Sequence, residues 1–233
     1  MPNTRTPDDY FLAWIRGWAL TREVDPPVPH ADGFHIAVGL PRQAARYVFA
    51  SPSPAIAELG TAITQPWIYI KAYATSEQLR ALLPDRWRIE ELHYMMTCDA
   101  RTFPGGGELP SGYAVEVDDA AAATGLGHVR VVAPDGTLAA SGHIALGERL
   151  AIYDRIGTEP AHQRRGLGRA VMHALQALAR ARAPRGRAGG HRPGARALRI
   201  ARLAAALAVG GRGDPGPGRP GLISAAARCT PAR

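Results

Sequence analysis

The sequence predicts a mixed α/β (α+β) fold, in which a mostly antiparallel sheet is flanked by helices and an N-terminal α/β lobe precedes it. Strand-like runs alternate with helical patterns through the first hundred residues. Further on, an Asp135-Gly136 turn joins two strand-like runs, and an amphipathic helix directly follows the last strand. With 233 residues, 46% of them hydrophobic, the chain can bury one large core or two small ones.

The N-terminal lobe is predicted to occupy residues 1–100. It opens with DDYFLAWIRGWAL, whose apolar residues have helical spacing, and continues with the strand-like runs FHIAVGL and ARYVFA. A helix capped by Ser53 precedes the strand-like run WIYIKAYA, and Thr75 and Gln78 have the spacing of a capping box at the start of the next helix. The run WRIEELHYMMTCD is predicted to be extended. The turn-rich segment RTFPGGGELPSG then marks a domain boundary.

The second domain is predicted at residues 110–183. Its strands are YAVEVDD, a hairpin around Asp135-Gly136, and RLAIYDRIGTEP. The last strand leads into a helix that begins near Gly166 or Leu167. The residues on one face of this helix are apolar and should pack on the sheet: Ala170, Val171, Ala174, Leu175 and Leu178.

The turn between this strand and helix has the properties of an anion site. Main-chain N–H groups at a helix start, together with the helix dipole, favour phosphate oxygens, and Gly166 and Gly168 permit close approach. Arg164 and Arg165 add positive charge. The spacing of the nucleoside-triphosphate loop is absent from the sequence, and so is the dinucleotide G-x-G-x-x-G pattern, so another carrier of a diphosphate is expected.

The turn QRRGLG, Gln163 to Gly168, resembles the Q/R-x-x-G-x-G/A signature of the GCN5-related N-acetyltransferase (GNAT) family. The resemblance implies that the turn holds the pyrophosphate of acetyl-CoA. It also implies that the preceding strand hydrogen-bonds the pantetheine arm through its main chain, so that Ile156 and Thr158 face the arm. The alternative is a simple helix-entry turn with solvated arginines. The residues that the resemblance assigns to acetyl-CoA are Ile156, Gly157, Thr158, Gln163, Arg164, Arg165, Gly166, Leu167, Gly168 and Arg169.

The catalytic candidate is Asp154, two positions before Ile156, where the family often carries a carboxylate. Acetyl transfer to an amine requires a base that removes a proton from the ammonium form, and a carboxylate commonly serves. A solvated or salt-bridged aspartate is the alternative. Glu159 is a weaker candidate, and His162 and His173 are expected at the surface. No metal site is indicated.

The function implied by the resemblance is transfer of an acetyl group from acetyl-CoA to a primary amine, by direct attack in a ternary complex. The acceptor is expected to be a small-molecule amine or a peptide N-terminus. Two alternatives stay open, a CoA-binding module without turnover and a basic nucleic-acid-binding protein. The second of these predicts steeply salt-dependent DNA binding by the folded body.

The N-terminal lobe carries no motif of its own and is interpreted as a degenerate companion of the acetyltransferase domain that shapes the acceptor pocket. The aromatic and sulfur-containing residues Trp67, Tyr69, Trp87, Tyr94 and Met95 could line that pocket. Aromatic residues in strands more often belong to a core.

The positive charge of the chain is concentrated in one segment, residues 184–233. This segment has ten arginines against Asp214, whereas the whole chain has a net charge of +8, so residues 1–183 carry about −1. The folded body is therefore not expected to bind nucleic acid. No apolar run has the length of a membrane span, and Cys98 and Cys229 form neither a disulfide framework nor a zinc motif. A cytoplasmic location is expected.

The segment 184–233 is rich in Arg, Gly, Pro and Ala and contains no aromatic residue. The family fold continues after the predicted helix with a strand and a helix that often carries a tyrosine, and this segment resembles neither. We interpret it as the product of a reading-frame change near Ala183, since a back-translation of the following codons, read one base later, can encode such elements. A disordered arginine-rich arm is the alternative. Sequencing the gene across this junction separates the two.

Overall fold

The computed structural model describes residues 7–91, 93–97, 108–118, 124–147, 150–182 and 199–208. It confirms the predicted mixed fold, with antiparallel-dominated sheets flanked by helices. The chain divides into two compact units. The first comprises Met1–Met96 with Arg199–Pro217, and the second Thr97–Leu198 with Gly218–Arg233. Within the described ranges, no helix has the length and apolar character needed to cross a membrane.

The first unit is built on a seven-stranded sheet, in the order β1-β2-β3-β4-β11-β5 with β6 paired to β11. Among the strand pairs whose register is described, only β3 and β4 run parallel to each other, and helix α2 connects them. The elements of this unit are α1 (Pro7–Thr21), β1 (Val28–His30), β2 (Gly33–Leu40), β3 (Gln43–Phe49), α2 (Pro54–Ala62), β4 (Ile68–Ala72), α3 (Ser76–Leu82), β5 (Trp87–Ile89), β6 (His93–Thr97) and β11 (Arg199–Ala208).

The helix starts of the first unit follow the predicted capping chemistry. The Ser53 hydroxyl accepts from the Ala55 N–H at 3.1 Å. Thr75 and Gln78 form both bonds of a capping box, at 2.8 and 3.2 Å. The indole of Trp87 is fully buried and donates to the Gly60 carbonyl oxygen at 2.9 Å, so this aromatic residue belongs to the core.

Residues 199–208 differ from the expectation for the C-terminal segment, because they form strand β11. This strand pairs antiparallel with β4 on one side, Ala204 opposite Ala72, and with β5 on the other, Ala206 opposite Ile89. Alanine has weak strand propensity, but pairing on both sides satisfies the main-chain N–H and C=O groups of the segment. The rest of 184–233, and with it the frame-change interpretation, lies outside the described residues.

The second unit has a four-stranded antiparallel sheet in the order β10-β9-β8-β7. Its elements are β7 (Ala114–Asp118), β8 (Leu126–Val132), β9 (Leu138–Leu146), β10 (Ala151–Thr158), a 3-10 turn (Pro160–His162) and α4 (Leu167–Arg182). The predicted hairpin turn joins β8 to β9, with Gly136 at φ 82°. Asp135 accepts from the N–H and the hydroxyl of Thr137 at 3.0 and 2.7 Å, which fixes this turn.

Helix α4 packs on the sheet of the second unit through the face that the sequence predicts. Val171, Leu175 and Leu178 on the helix join Val129, Val131, Ile144 and Ile156 from the strands in one buried cluster. Gly142 on β9 lies directly beneath the helix. A Cβ atom at this position would stand 2.7 Å from Cγ1 of Val171, so the absent side chain permits the close approach of helix and sheet.

Candidate functional site

Strand β10 contains a β-bulge just before the candidate site. Asp154 lies opposite His143 and Gly157 opposite Ser141, so Arg155 and Ile156 together oppose the single residue Gly142. Arg155 has φ 52°, in the left-handed region. A bulge of this kind bends the strand and changes which face the following side chains occupy.

The bulge separates the environments of Asp154 and Ile156. The Ile156 side chain is 9% exposed and lies in the core beneath α4, where Cγ1 is 3.1 Å from a Cβ built on Gly142. The predicted contact of Ile156 with the pantetheine arm, through the main chain of the strand, stays a prediction, and the buried side chain leaves only main-chain groups of Ile156 for it. Asp154 pairs with His143, so its carboxylate lies on the sheet face away from the helix, and it is 6% exposed.

Within the described residues, β10 pairs only with β9, and its outer edge carries no second strand. Gly157 and Thr158 at the end of this strand are partly exposed. Gln163 Nε2 donates to the Thr158 carbonyl oxygen at 3.4 Å, which links the strand end to the turn that follows. An extended ligand therefore has access to both the strand edge and the turn.

The turn from Gln163 to Gly166 is exposed and presents main-chain donors. Arg164 and Gly166 both have left-handed backbone, with φ 64° and 78°. Among the described residues, no acceptor receives the N–H groups from Arg164 to Gly168. A Cβ on Gly166 would meet no heavy atom within 4 Å, so the turn has open space on the Cα side of this glycine. Successive N–H groups in such a turn form an anion-binding concavity.

Helix α4 begins directly behind these donors. The Gly166 carbonyl oxygen accepts from the N–H groups of Arg169 and Ala170 at 3.0 and 3.1 Å, and the Leu167 side chain is 1% exposed and anchors the first turn. Gly168 lies beside the strand end, because a Cβ there would be 3.4 Å from Oγ1 of Thr158. The positive end of the helix dipole therefore points at the open space.

Tyr113 ties the turn to the start of β7, a contact that the sequence analysis missed. Arg165 Nη1 donates to the Tyr113 hydroxyl oxygen at 2.8 Å, and this hydroxyl lies 2.9 Å from Nδ1 of His162. Because arginine can only donate, the hydroxyl oxygen accepts from Arg165, and its contact with His162 is a hydrogen bond whose direction follows the tautomer of the ring. The two rings meet edge to face, with centroids 5.8 Å apart. His162, expected at the surface, is thus part of this network.

The structure brings the predicted cofactor residues together on one continuous strand, turn and helix start. Asp154 lies on the same strand, three residues before Gly157 and across the bulge from it. In the described part of the chain, no group of three or more His, Cys, Asp or Glu side chains could hold a metal ion. The arrangement can bind a diphosphate at the turn and present a buried carboxylate nearby on the strand.

Comparison with solved structures gives related folds. A GCN5-related N-acetyltransferase from Kribbella flavida is similar, with a TM-score of 0.51, 15% identity, and coverage of 83% of this chain and 93% of that chain. A functionally unknown conserved protein from Staphylococcus epidermidis has a TM-score of 0.51 and 9% identity, covering 89% of this chain and 98% of that chain. No curated protein matches the sequence significantly.

The sequence profile of the acetyltransferase (GNAT) family matches residues 73–199, which is more than half of the chain. The match includes β10, the turn and α4. On this match the chain belongs to the GNAT family of acyltransferases.

Proposed function

We propose that this chain transfers the acetyl group of acetyl-CoA to a primary amine by direct attack in a ternary complex. The observation that carries the proposal is the open row of N–H donors from Arg164 to Gly168 at the start of α4. A helix start with unpartnered donors and a left-handed glycine is suited to phosphate oxygens.

The turn would hold the diphosphate of the donor through main-chain N–H groups. Arg164 and Arg169 are exposed and add positive charge around it, and Arg165 is already oriented by Tyr113. Charge-assisted hydrogen bonds of this kind are about twice as strong as neutral ones. The outer edge of β10 would take the pantetheine arm through main-chain groups of Ile156 to Thr158.

Asp154 would act as the general base. An amine at neutral pH is mostly the ammonium ion, and only the neutral amine attacks a thioester carbonyl. Asp154 would accept one proton, directly or through a water molecule. Attack then forms the C–N bond, the C–S bond breaks, and the thiolate takes a second proton from the nitrogen. Burial of the carboxylate keeps competing solvent away from it.

A CoA-binding module without turnover is the alternative. It is favoured by one observation, since the described residues place no strand on the outer edge of β10. Such a chain would bind the donor at the turn but hold its reactive end loosely. Positioning errors of about 1 Å can cost a hundredfold in rate.

The test compares acetyl-CoA with acetyl-pantetheine, which has the same thioester arm without the diphosphate. Calorimetry should show acetyl-CoA binding at least tenfold more tightly. A panel of small amines and peptide N-termini is then screened for release of free thiol. Binding with thiol release from at least one amine supports the transferase, whereas binding without release from any acceptor favours the module. Equal affinity for the two donors contradicts the assignment of the turn.

A further inference from the structure

Four ionisable side chains form a row across the second unit's sheet, one from each strand. The strand registers pair Asp118 with His128, His128 with His143, and His143 with Asp154. Directly opposed residues of antiparallel strands point to the same face, so the four side chains share one face. Gly142 faces α4, so the row that includes its neighbour His143 lies on the face away from the helix.

The row leads from an exposed end to a buried end. Asp118 is exposed, the two histidines are partly buried, and Asp154 is 6% exposed. Neighbouring strands lie about 4.8 Å apart, so the row spans about 14 Å. At the exposed end, a groove of about 440 Å³ is lined by Glu116, Val117, Asp118, His128 and Arg130. The row therefore connects the buried carboxylate with a groove on the surface of the unit.

The two imidazole rings in the middle of the row are in contact. The ring centroids of His128 and His143 are 4.3 Å apart at an interplanar angle of 36°. Two imidazolium ions at this separation would repel each other, so the ring contact disfavours a doubly charged pair. Burial first, and then Arg130 and Arg155, lower the pKa of His128, while Asp118 opposes them. This direction favours the uncharged form of the His128 imidazole.

Acetyl transfer to an ammonium ion leaves one proton to be removed in each cycle. Of the three ammonium protons, one stays on the amide nitrogen, one ends on the thiol sulfur and one goes to the general base. Since Asp154 is buried, that third proton needs a route to solvent before the carboxylate can act again.

We propose that the row Asp154–His143–His128–Asp118 carries this proton from the buried base to the surface groove. The inference rests on the proposed acetyl transfer. The proton passes from the Asp154 carboxyl group to His143, then to His128, and leaves at Asp118 in the groove. No bond other than N–H and O–H bonds changes. The histidines act on the acceptor only through Asp154 and touch neither substrate.

The test replaces each histidine by glutamine and measures turnover in weakly buffered solution. His128→Gln and His143→Gln should keep acetyl-CoA affinity within about twofold and lower kcat by about tenfold or more. This loss can be smaller than the roughly 10²–10⁴-fold loss expected when a general base itself is removed. Added imidazole should restore much of the rate, because a small base can take over the transfer. Val132→Thr is the matched control, as it lies on β8 away from the row and should leave kcat unchanged.

The outcomes separate this inference from the proposed function. If the wild type releases thiol but both variants match its kcat and its pH profile without any response to imidazole, the relay is overturned and the transferase stands. If the wild type binds acetyl-CoA but releases no thiol from any amine, the transferase and the relay fall together. Histidine NMR on the wild-type chain provides a readout that needs no variant. One-proton coupled titration of the His128–His143 pair is expected, and independent titration of the two rings overturns the relay.

Discussion

Arg165 donates from Nη1 to the hydroxyl oxygen of Tyr113 at 2.8 Å, across 52 positions of sequence. The same hydroxyl reaches Nδ1 of His162, so a single oxygen atom ties the turn before α4 to the start of β7. The conformation of the proposed diphosphate site is therefore stabilised by Tyr113, a residue outside the family signature.

Tyr113→Phe should weaken acetyl-CoA binding about three- to tenfold, with kcat nearly unchanged. The substitution removes only the hydroxyl, and the net value of one hydrogen bond is about 0.5–1.5 kcal/mol. Calorimetry and steady-state kinetics measure the two effects. Tyr153→Phe is the control, because it loses a bond to Gln176 in the core of the same unit without touching the turn. Equal loss of affinity in both variants would show that the effect is general destabilisation.

Gly166→Ala should lower acetyl-CoA affinity and stability together. An L-residue at φ 78° costs about 1–2 kcal/mol, and relief of this strain would move the N–H groups of the turn. Gly136→Ala provides a closely matched control, since Gly136 has φ 82° and an equally open Cβ position but lies in the β8–β9 hairpin turn. Both variants should lose similar thermal stability, and only Gly166→Ala should lose affinity. If Gly136→Ala also lost acetyl-CoA affinity, the loss in Gly166→Ala could not be assigned to the turn.

Asp154→Asn should reduce kcat by a factor of about 100 to 10,000 while acetyl-CoA affinity stays within about twofold. The amide keeps the shape of the carboxyl group but cannot accept the ammonium proton. Asp135→Asn makes the same chemical change in the hairpin turn and should leave kcat intact. Unchanged turnover in Asp154→Asn would exclude this carboxylate as the base.

Gly142→Ala should destabilise the second unit by about 1–3 kcal/mol through overpacking. The added methyl group would stand 2.7 Å from Val171, 3.0 Å from Leu175 and 3.1 Å from Ile156. Denaturant unfolding measures the loss of free energy. In the Val171→Ala background, Gly142→Ala should cost less free energy of unfolding, because Val171→Ala removes the Cγ1 atom nearest to the added methyl group. A double variant less stable than the sum of the single changes would contradict the packing argument.

Stability should fall as the pH drops below neutrality. Burial is the largest cause that lowers the pKa of His35, His93 and His128 in the folded chain below the ordinary value of 6.5 for histidine. Between the unfolded and the folded pKa values, the unfolded state therefore binds more protons. The contribution of these groups is fully present above about pH 6.5 and is lost as the pH falls towards their folded values.

The melting temperature at pH 7.5 and at pH 5 measures this effect. His35→Gln should narrow the difference between the two values, because it removes one of the three groups. A melting temperature that is higher at pH 5 than at pH 7.5 would contradict the predicted direction of the pH dependence.

Local rules predicted much of the fold. The capping box at Thr75, the Asp135-Gly136 hairpin and the apolar face of α4 each depend on residues within a few positions of one another, and the structure has all three. The β4–β11–β5 pairing joins segments more than a hundred residues apart, and an alanine-rich run gives no strand signal.

In the candidate site, too, local features could be predicted and contacts between distant residues could not. The turn and the helix start follow from the QRRGLG signature, which is contiguous in sequence. The burial of the Ile156 side chain under α4 does not, because one extra residue in β10 interrupts the regular alternation of the strand. The role of Tyr113 could not be predicted, because a single tyrosine before a strand does not indicate contacts with residues as distant in sequence as His162 and Arg165.

The bulge at Arg155 divides strand β10 into two stretches that both pair with β9, with the register shifted by one residue between Asp154 and Gly157. The proposed base lies before the shift, and the strand end proposed to bind the donor lies after it. The one inserted residue therefore lengthens the path of β10 between these two positions relative to β9. Deleting it should bring the proposed base and the proposed donor site closer along the strand.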